Sequence, residues 1–389
     1  MSGVERGVSD GSARDFSIDA LRSILMLLGI PYHVTFLYKV DSDWSVADSQ
    51  RAWVFDVLAD ALHSFRMAAF FLIAGYFSAL LLARRPVGVW LQSRLKQIGI
   101  PLVAATLTVL PLVMVIEIYA VARPEDLWSA LARKLATPGG HWVAHLWFLA
   151  VLLELSFGLA LSWRWMCKLD LARLDRFFMN SPVTCTAAVI LFIGVYQAFT
   201  GVPARLLSIV IADDVILMFS ITEAFRFLPF FLIGVFLQGM PGTFALFRTV
   251  NPWVIACAIL ATAGYVVFSD VDTIYGRVVT RALTGACGVL MTSVLLAAAR
   301  KLFDKKRAIV SFLVDSAIVI YVFHFPIIFL ISLISNKFDL SIYFEFAFVV
   351  LLVYLFSFVV WILISRFEPL RFAFTGRARR LRDPADAKG

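Results

Sequence analysis

Charge is what this 389-residue chain has least of: 16% of its residues are Asp, Glu, Lys or Arg, and 61% are hydrophobic. Soluble domains carry roughly 25% charged residues, so the deficit excludes an ordinary soluble enzyme. Cysteine is scarce as well. Cys167, Cys185, Cys257 and Cys287 show neither paired metal spacing nor a disulfide framework. There is no HExxH, no P-loop and no HxxxD of the kind several soluble acyltransferases use, so zinc and nucleotide-cradle chemistry lose their usual signatures. A GxSxG string does occur at Gly7–Gly11, but it sits in a polar tail without strand or helix context and is read as an accident. No convincing internal repeat is present, which weighs against a transporter. The polar start of the chain lacks a small-residue cleavage site after the first apolar run, so that run is expected to be a retained helix.

What the chain has in place of charge is apolar length. Thirty-six Phe and ten Trp accompany a mean hydropathy of +0.87, and runs able to cross about 30 Å of hydrocarbon recur throughout. These runs predict an all-α polytopic membrane protein with about ten spans. They fall at residues 18–38, 57–82, 98–121, 144–166, 183–200, 217–238, 251–268, 278–300, 312–334 and 343–366, numbered spans 1 to 10 below. Residues 201–216 are the least certain stretch. The division is a polar tail at 1–17, a membrane domain at 18–366 and a basic tail at 367–389.

The net charge of +8 reads as orientation and not as nucleic-acid binding. Arg84, Arg85, Arg94, Lys96, Arg164, Lys168, Arg173, Arg176, Arg300, Lys301, Lys305, Lys306, Arg307 and the tail from Arg366 to Arg382 all fall on the side of the chain ends. The first opposite loop carries Asp41, Asp43 and Asp48. The positive-inside rule then puts both termini of this multi-pass protein in the cytoplasm.

Four arginines fall inside spans: Arg22, Arg66, Arg226 and Arg281. A cation near the bilayer centre costs about 2.5–3.5 kcal/mol on the mildest scale, so it faces a partner or a wet cavity. Arg281 lies near a span end, where it can snorkel. Of the five histidines, His33, His63 and His145 lie towards one leaflet on three spans, His141 precedes span 4, and His324 is near the middle of span 9. On span 1, Asp19, Arg22, Ile30 and His33 return to within about 60° of one stripe, with His33 about 16–21 Å beyond the charged pair. His63 and Arg66, Glu223 and Arg226, and Tyr321 and His324 are i,i+3 neighbours, and Trp147 and Glu154 share a face at i,i+7. Taken singly, each has a structural explanation: a buried histidine bonded to a carbonyl, a helix-end carboxylate, an ion pair, an interfacial tryptophan. As a set they predict a polar intramembrane chamber with a histidine general base and arginines for anions, which suits acyl or phosphoryl transfer to a hydroxyl.

These same residues carry a resemblance. Ile18–His33, His63–Phe77, His145–Leu155, Phe227–Leu237 and Tyr321–Pro326 are similar, in order, to segments of the membrane acyltransferase 3 family. MLLGIPYH, HSFRM and GYFSALLL are most similar to a branch associated with succinyl groups on osmoregulated periplasmic glucans. The resemblance implies a ten-helix enzyme taking acyl groups from cytoplasmic acyl-CoA, with succinyl-CoA as co-substrate, no tightly bound cofactor and a periplasmic glucan acceptor. It places functional positions on Arg22, His33, Arg66 and His145–Trp147. The RxxR motif of some relatives is missing where Gln97 and Pro101 stand.

The expected catalytic group is His33 as base, with His63 as its understudy and Arg66, assisted by His145 or His324, for the oxyanion. Asp19, Arg22, His145, Trp147, Glu154, Glu223, Arg226, Tyr321 and His324 are the expected substrate-binding residues, and Arg22 with the Arg84/Arg85 or Lys305/Lys306 loops forms a basic mouth for CoA phosphates. No metal is expected. The readings left open are acetylation of lipopolysaccharide or another surface glycan, and glycan transport.

Overall fold

The computed structural model describes residues 15–378, leaving out 49, 123–125, 138, 201–214, 250, 304, 306 and 336–340, with only the backbone of 121–122 and 215–219. The Gly7–Gly11 string, most of the uncertain 201–216 stretch, Lys306 and the end of the basic tail lie outside the described residues.

Ten helices among the described residues are long and apolar enough to span a membrane: Phe16–Tyr38, Trp53–Leu82, Val87–Ala120, Ala144–Met166, Pro182–Phe199, Ser220–Gln238, Pro252–Ser269, Ile274–Leu302, Ala308–Ser335 and Ile342–Arg366. They match the expected spans one for one, and no strand occurs among the described residues. The third differs most at its start. It begins at Val87 and passes through a π-helical turn at Leu95–Gly99, so Arg94 belongs to the helix and not to a loop. Ten crossings return the chain to its starting face, here termed proximal; the other is distal.

Burial sorts the spans. Span 2 is the centre, with 72% of its apolar window buried, whereas spans 5, 7 and 10 are only 22%, 17% and 28% buried and present their apolar sides outward. Span 2 packs closely on span 6 because two glycines let the backbones meet. A Cβ on Gly75 would stand 1.9 Å from the Phe231 carbonyl oxygen, and one on Gly234 would stand 1.8 Å from that of Leu72. Small residues at the crossing are how membrane helices associate without a hydrophobic driving force between them. On the proximal face, Asp175 joins the helices Leu171–Asn180 and Pro241–Phe247 by accepting from the Thr243 amide at 2.7 Å, the Thr243 hydroxyl at 2.6 Å and the Gly242 amide at 2.9 Å. Burial raises the Asp175 carboxyl, but these bonds outweigh it and hold the group below the ordinary carboxylate range.

Prolines inside spans shape the site. A proline lacks the N–H that would bond the carbonyl four residues earlier, and in lipid that carbonyl needs another donor. Pro31 releases Leu27, whose oxygen accepts from the Tyr354 hydroxyl at 2.9 Å. Pro229 releases Phe225, which accepts from the Tyr196 hydroxyl at 2.7 Å. Pro326 releases Val322, which accepts from His145 Nε2 at 2.9 Å. Span 1 is also broken at Leu28 into helices Phe16–Leu27 and Gly29–Tyr38. The single stripe expected along it is therefore divided, with Asp19 and Arg22 on the proximal half and His33 on the distal half.

Candidate active site

The distal half of span 1, the start of span 4 and the proline-bearing stretch of span 9 bring three imidazoles together. The His324 ring centroid lies 5.2 Å from that of His33 and 5.6 Å from that of His145. Phe325 wedges between them, stacked on His145 at 4.5 Å and edge-on to His33 at 5.4 Å. Hydrogen bonds assign the nitrogens. His324 Nδ1 faces the Tyr321 and Ile320 carbonyls at 2.7 and 3.2 Å, so Nδ1 carries the proton and the neutral ring keeps its lone pair on Nε2, which is buried without a partner. His145 gives its Nε2–H to Val322 and keeps its lone pair on a buried, unpartnered Nδ1. Its own carbonyl accepts from the Tyr321 hydroxyl. His33 Nδ1 is likewise buried and unpartnered.

Among the described residues, His63 is joined to this group through Tyr32. Its ring stacks on Tyr32 at 5.8 Å and its Nδ1 is 3.2 Å from the Tyr32 hydroxyl, while Tyr32 meets His33 at 4.9 Å. Arg66, one turn along span 2, is buried, with its guanidinium 4.5 Å over the Tyr32 ring. No carboxylate pairs with it among the described residues, and its Nε has no hydrogen-bond partner. Gly29 makes room for it: a Cβ there would stand 3.1 Å from Arg66 Nη1 and 4.0 Å from His324 Nε2. The break in span 1 thus exposes backbone where the guanidinium and a histidine lone pair converge.

The remaining expected residues are distributed around this centre. Arg226 pairs with Glu223 at 3.5 Å and lies 5.5 Å over Phe227. Trp147 stacks on the same Phe227 at 5.8 Å. Glu154 accepts from the Ser220 hydroxyl at 2.6 Å, tying span 4 to span 6. Asp19 and Arg22 stand 3.9 Å apart near the proximal face, with Arg22 5.2 Å over Phe77. Arg281 is exposed on span 8. Of the expected set, then, His33, Arg66, His145, Tyr321 and His324 are brought together, His63 is attached through Tyr32, and Asp19 and Arg22 are not.

Two clefts approach the centre from opposite faces. The proximal cleft is lined by Arg22, Arg94, Arg371 and Arg377 and closes inward on Phe70 and Phe148. The Phe148 ring is 5.6 Å from Tyr321, which is 6.1 Å from His324. The distal cleft is lined by Asp43, Trp44, Glu117, Lys134, His141 and Phe325. Its inner wall is the outer wall of the histidine group, because Trp44 stacks 6.3 Å from His33. Arg84, Arg85 and Lys305 do not line the proximal cleft; Arg94, Arg371 and Arg377 do. Sequence reasoning missed these three, together with Trp44 and Phe325. No motif in the sequence marks these five; the in-span prolines carry a different signal, a carbonyl needing a donor, and Pro326 marks the one that the expected His145 serves. Among the described residues no group of three or more His, Cys, Asp or Glu is placed to hold a metal ion.

Comparison with known proteins covers nearly the whole membrane region. The profile of the Acyltransferase domain family matches residues 15–366. The chain is 28% identical over 334 residues to proteins named Glucans biosynthesis protein C from Salmonella paratyphi A and Salmonella agona, covering 81% of this chain and 82% of each relative. It is 27% identical over 325 residues to the protein of the same name from Salmonella paratyphi B, with the same coverage. No solved structure matches the chain.

Proposed function

The chain belongs to the membrane acyltransferase 3 family, and from that membership we propose that it is an inner-membrane O-acyltransferase moving an acyl group, succinyl in particular, from cytoplasmic acyl-CoA to hydroxyls of periplasmic glucans. One observation carries the reading: an enclosed histidine and arginine centre lies between two clefts that open on opposite faces. A thioester and a sugar kept apart by a bilayer need such an arrangement. The relatives named for glucan biosynthesis support the acceptor. Arginine-rich loops on the proximal face and the acidic first distal loop support a cytoplasmic proximal face.

In this mechanism the donor enters the proximal cleft and presents its thioester past Phe148, while a glucosyl residue occupies the distal cleft. The sugar oxygen attacks the thioester carbonyl as His33 accepts the hydroxyl proton. Negative charge gathers on the carbonyl oxygen, and Arg66, the one buried cation at the centre, stabilises it. Collapse of the tetrahedral intermediate forms the ester and expels the thiolate, which takes the proton back from His33 and leaves as free thiol. His324 and His145, each fixed by a backbone carbonyl with a lone pair facing inward, accept hydrogen bonds from neighbouring hydroxyls of the sugar and so orient the attacking one; Arg66 alone donates to the oxyanion. His63 holds Tyr32 beneath the guanidinium. A succinyl chain carries a distal carboxylate, and Arg226 is the cation for it.

Mass spectrometry of periplasmic glucans from cells with and without the protein tests the proposal. Succinyl mass increments that vanish with the protein and return with it support the reaction. Glucan masses that stay unchanged reject the acceptor.

A further inference from the structure

The described residues just beyond span 10, 367–378, pack back against the helices. The chain turns into the helix Glu368–Thr375, whose Phe374 and Thr375 are buried, and the Phe374 ring packs edge-on against Phe323 of span 9 at 4.9 Å. The helix stops at Gly376, in the left-handed region at φ +63°. There the backbone lies directly on span 3: a Cβ on Gly376 would be 1.8 Å from the Lys96 carbonyl oxygen, within the π-helical turn Leu95–Gly99. Only glycine satisfies both the angle and the contact. The next residue, Arg377, lines the proximal cleft together with Arg371, and its amide bonds back to the Thr375 hydroxyl at 3.2 Å.

Four arginines and one carboxylate, Asp315, line that cleft, so positive charge is in excess there. Arg377 reaches Asp315 at 3.8 Å, and Arg22 has Asp19 at 3.9 Å. Arg94 donates to the Ser78 hydroxyl at 3.0 Å and lies 5.4 Å over Trp90, but its Nε is buried with no partner and no carboxylate pairs with it among the described residues. Guanidinium groups gathered around a concave space repel one another unless an anion joins them, and their planar fork matches phosphate oxygens. The inner wall is apolar, formed by Phe70, Phe148 and Leu149, which suits a ligand with a phosphorylated head and a slender neutral arm.

We propose that the segment Glu368–Arg377 is a working part of the donor site, anchored on span 3 by Gly376 so that Arg377 and Arg371, with Arg94, hold the phosphate groups of a nucleotide-bearing thioester. The inference deepens the acyl-CoA reading and rests on it for the thioester, though not for the phosphates. An anionic lipid headgroup has the same phosphate chemistry, so the test separates the two sources.

The experiment is calorimetric binding to the full-length protein in phosphatidylcholine nanodiscs, with three probes: coenzyme A, adenosine 3′,5′-bisphosphate and pantetheine. Arg377→Ala weakens coenzyme A and the bisphosphate by about 10- to 100-fold, the loss of a charge-assisted bond, and leaves pantetheine unchanged. Gly376→Leu produces the same selective loss without touching a charge. Asp315→Asn, which releases Arg377 without removing it, tightens coenzyme A by about two- to fivefold. Arg377→Ala binding coenzyme A like the wild type overturns the proposal and leaves the acyl-CoA reading standing. Equal loss of pantetheine and coenzyme A, or displacement of coenzyme A on adding phosphatidylglycerol, also overturns it. Bisphosphate bound through Arg377 with no transfer from any acyl-CoA keeps this site and sinks the acyl-CoA reading.

Discussion

His145 donates its Nε2–H to the carbonyl of Val322 at 2.9 Å, the carbonyl that Pro326 leaves without its helical partner. One contact thereby closes a gap in span 9, joins it to span 4 and fixes the tautomer of an imidazole facing the proposed reaction centre.

The two residues are therefore coupled in stability. His145→Ala leaves a buried carbonyl unsatisfied, at about 1–3 kcal/mol. In a Pro326→Ala background the backbone amide returns and most of that loss disappears. Thermal melting of the four proteins in a double-mutant cycle measures the coupling. Equal losses in both backgrounds contradict the pairing.

Gly29→Ala separates activity from stability. Gly29 opens its helix, where alanine gains less than the about 1 kcal/mol of a helix interior, and the neighbour it meets is the far end of a flexible side chain, so the melting temperature changes little. The new methyl stands 3.1 Å from Arg66 Nη1 and displaces the guanidinium. Transfer falls by about tenfold or more, towards the ~10²–10³ typical of a lost oxyanion donor. Full transfer activity at unchanged stability contradicts the role given to Arg66.

Gly75→Ala and Gly234→Ala behave differently, because their Cβ atoms meet backbone at 1.9 and 1.8 Å and backbone cannot rotate aside. Overpacking costs about 1–3 kcal/mol where side chains yield; here spans 2 and 6 must separate, and the yield of monodisperse protein drops. Wild-type yield and melting contradict the close crossing.

Much of this was legible from the sequence, and the limits have physical reasons. Ten spans followed from apolar length, and the depth of His33, Arg66, His145 and His324 followed from counting along them. Hydropathy carries no information on which imidazole nitrogen is committed, because that depends on carbonyls released by prolines on other helices. The break at Leu28 was hidden by an uninterrupted apolar run around Pro31. Arg94 read as a loop residue because Val87–Gly99 is too polar in the sequence to resemble a span, although it continues span 3. Arg371 and Arg377 read as a basic tail, since eight helical residues and a glycine carry no membrane signal of their own.

Orientation has its own test. In a chain cleared of its four cysteines, Cys introduced at exposed Ser45 reacts with an impermeant maleimide added outside spheroplasts. Cys introduced at exposed Arg85 reacts only after permeabilisation. The reverse pattern inverts the proposed donor and acceptor sides.

The central claim is that a thioester on one face acylates a sugar on the other through the histidine centre. The direct measurement is transfer in proteoliposomes with acyl-CoA outside and glucan trapped within. Acylated luminal glucan from wild-type vesicles, reduced about 10²–10⁴-fold by a folded, inserted His33→Ala, is the predicted result. Transfer only when donor and acceptor share a compartment, or undiminished transfer by His33→Ala, contradicts the account.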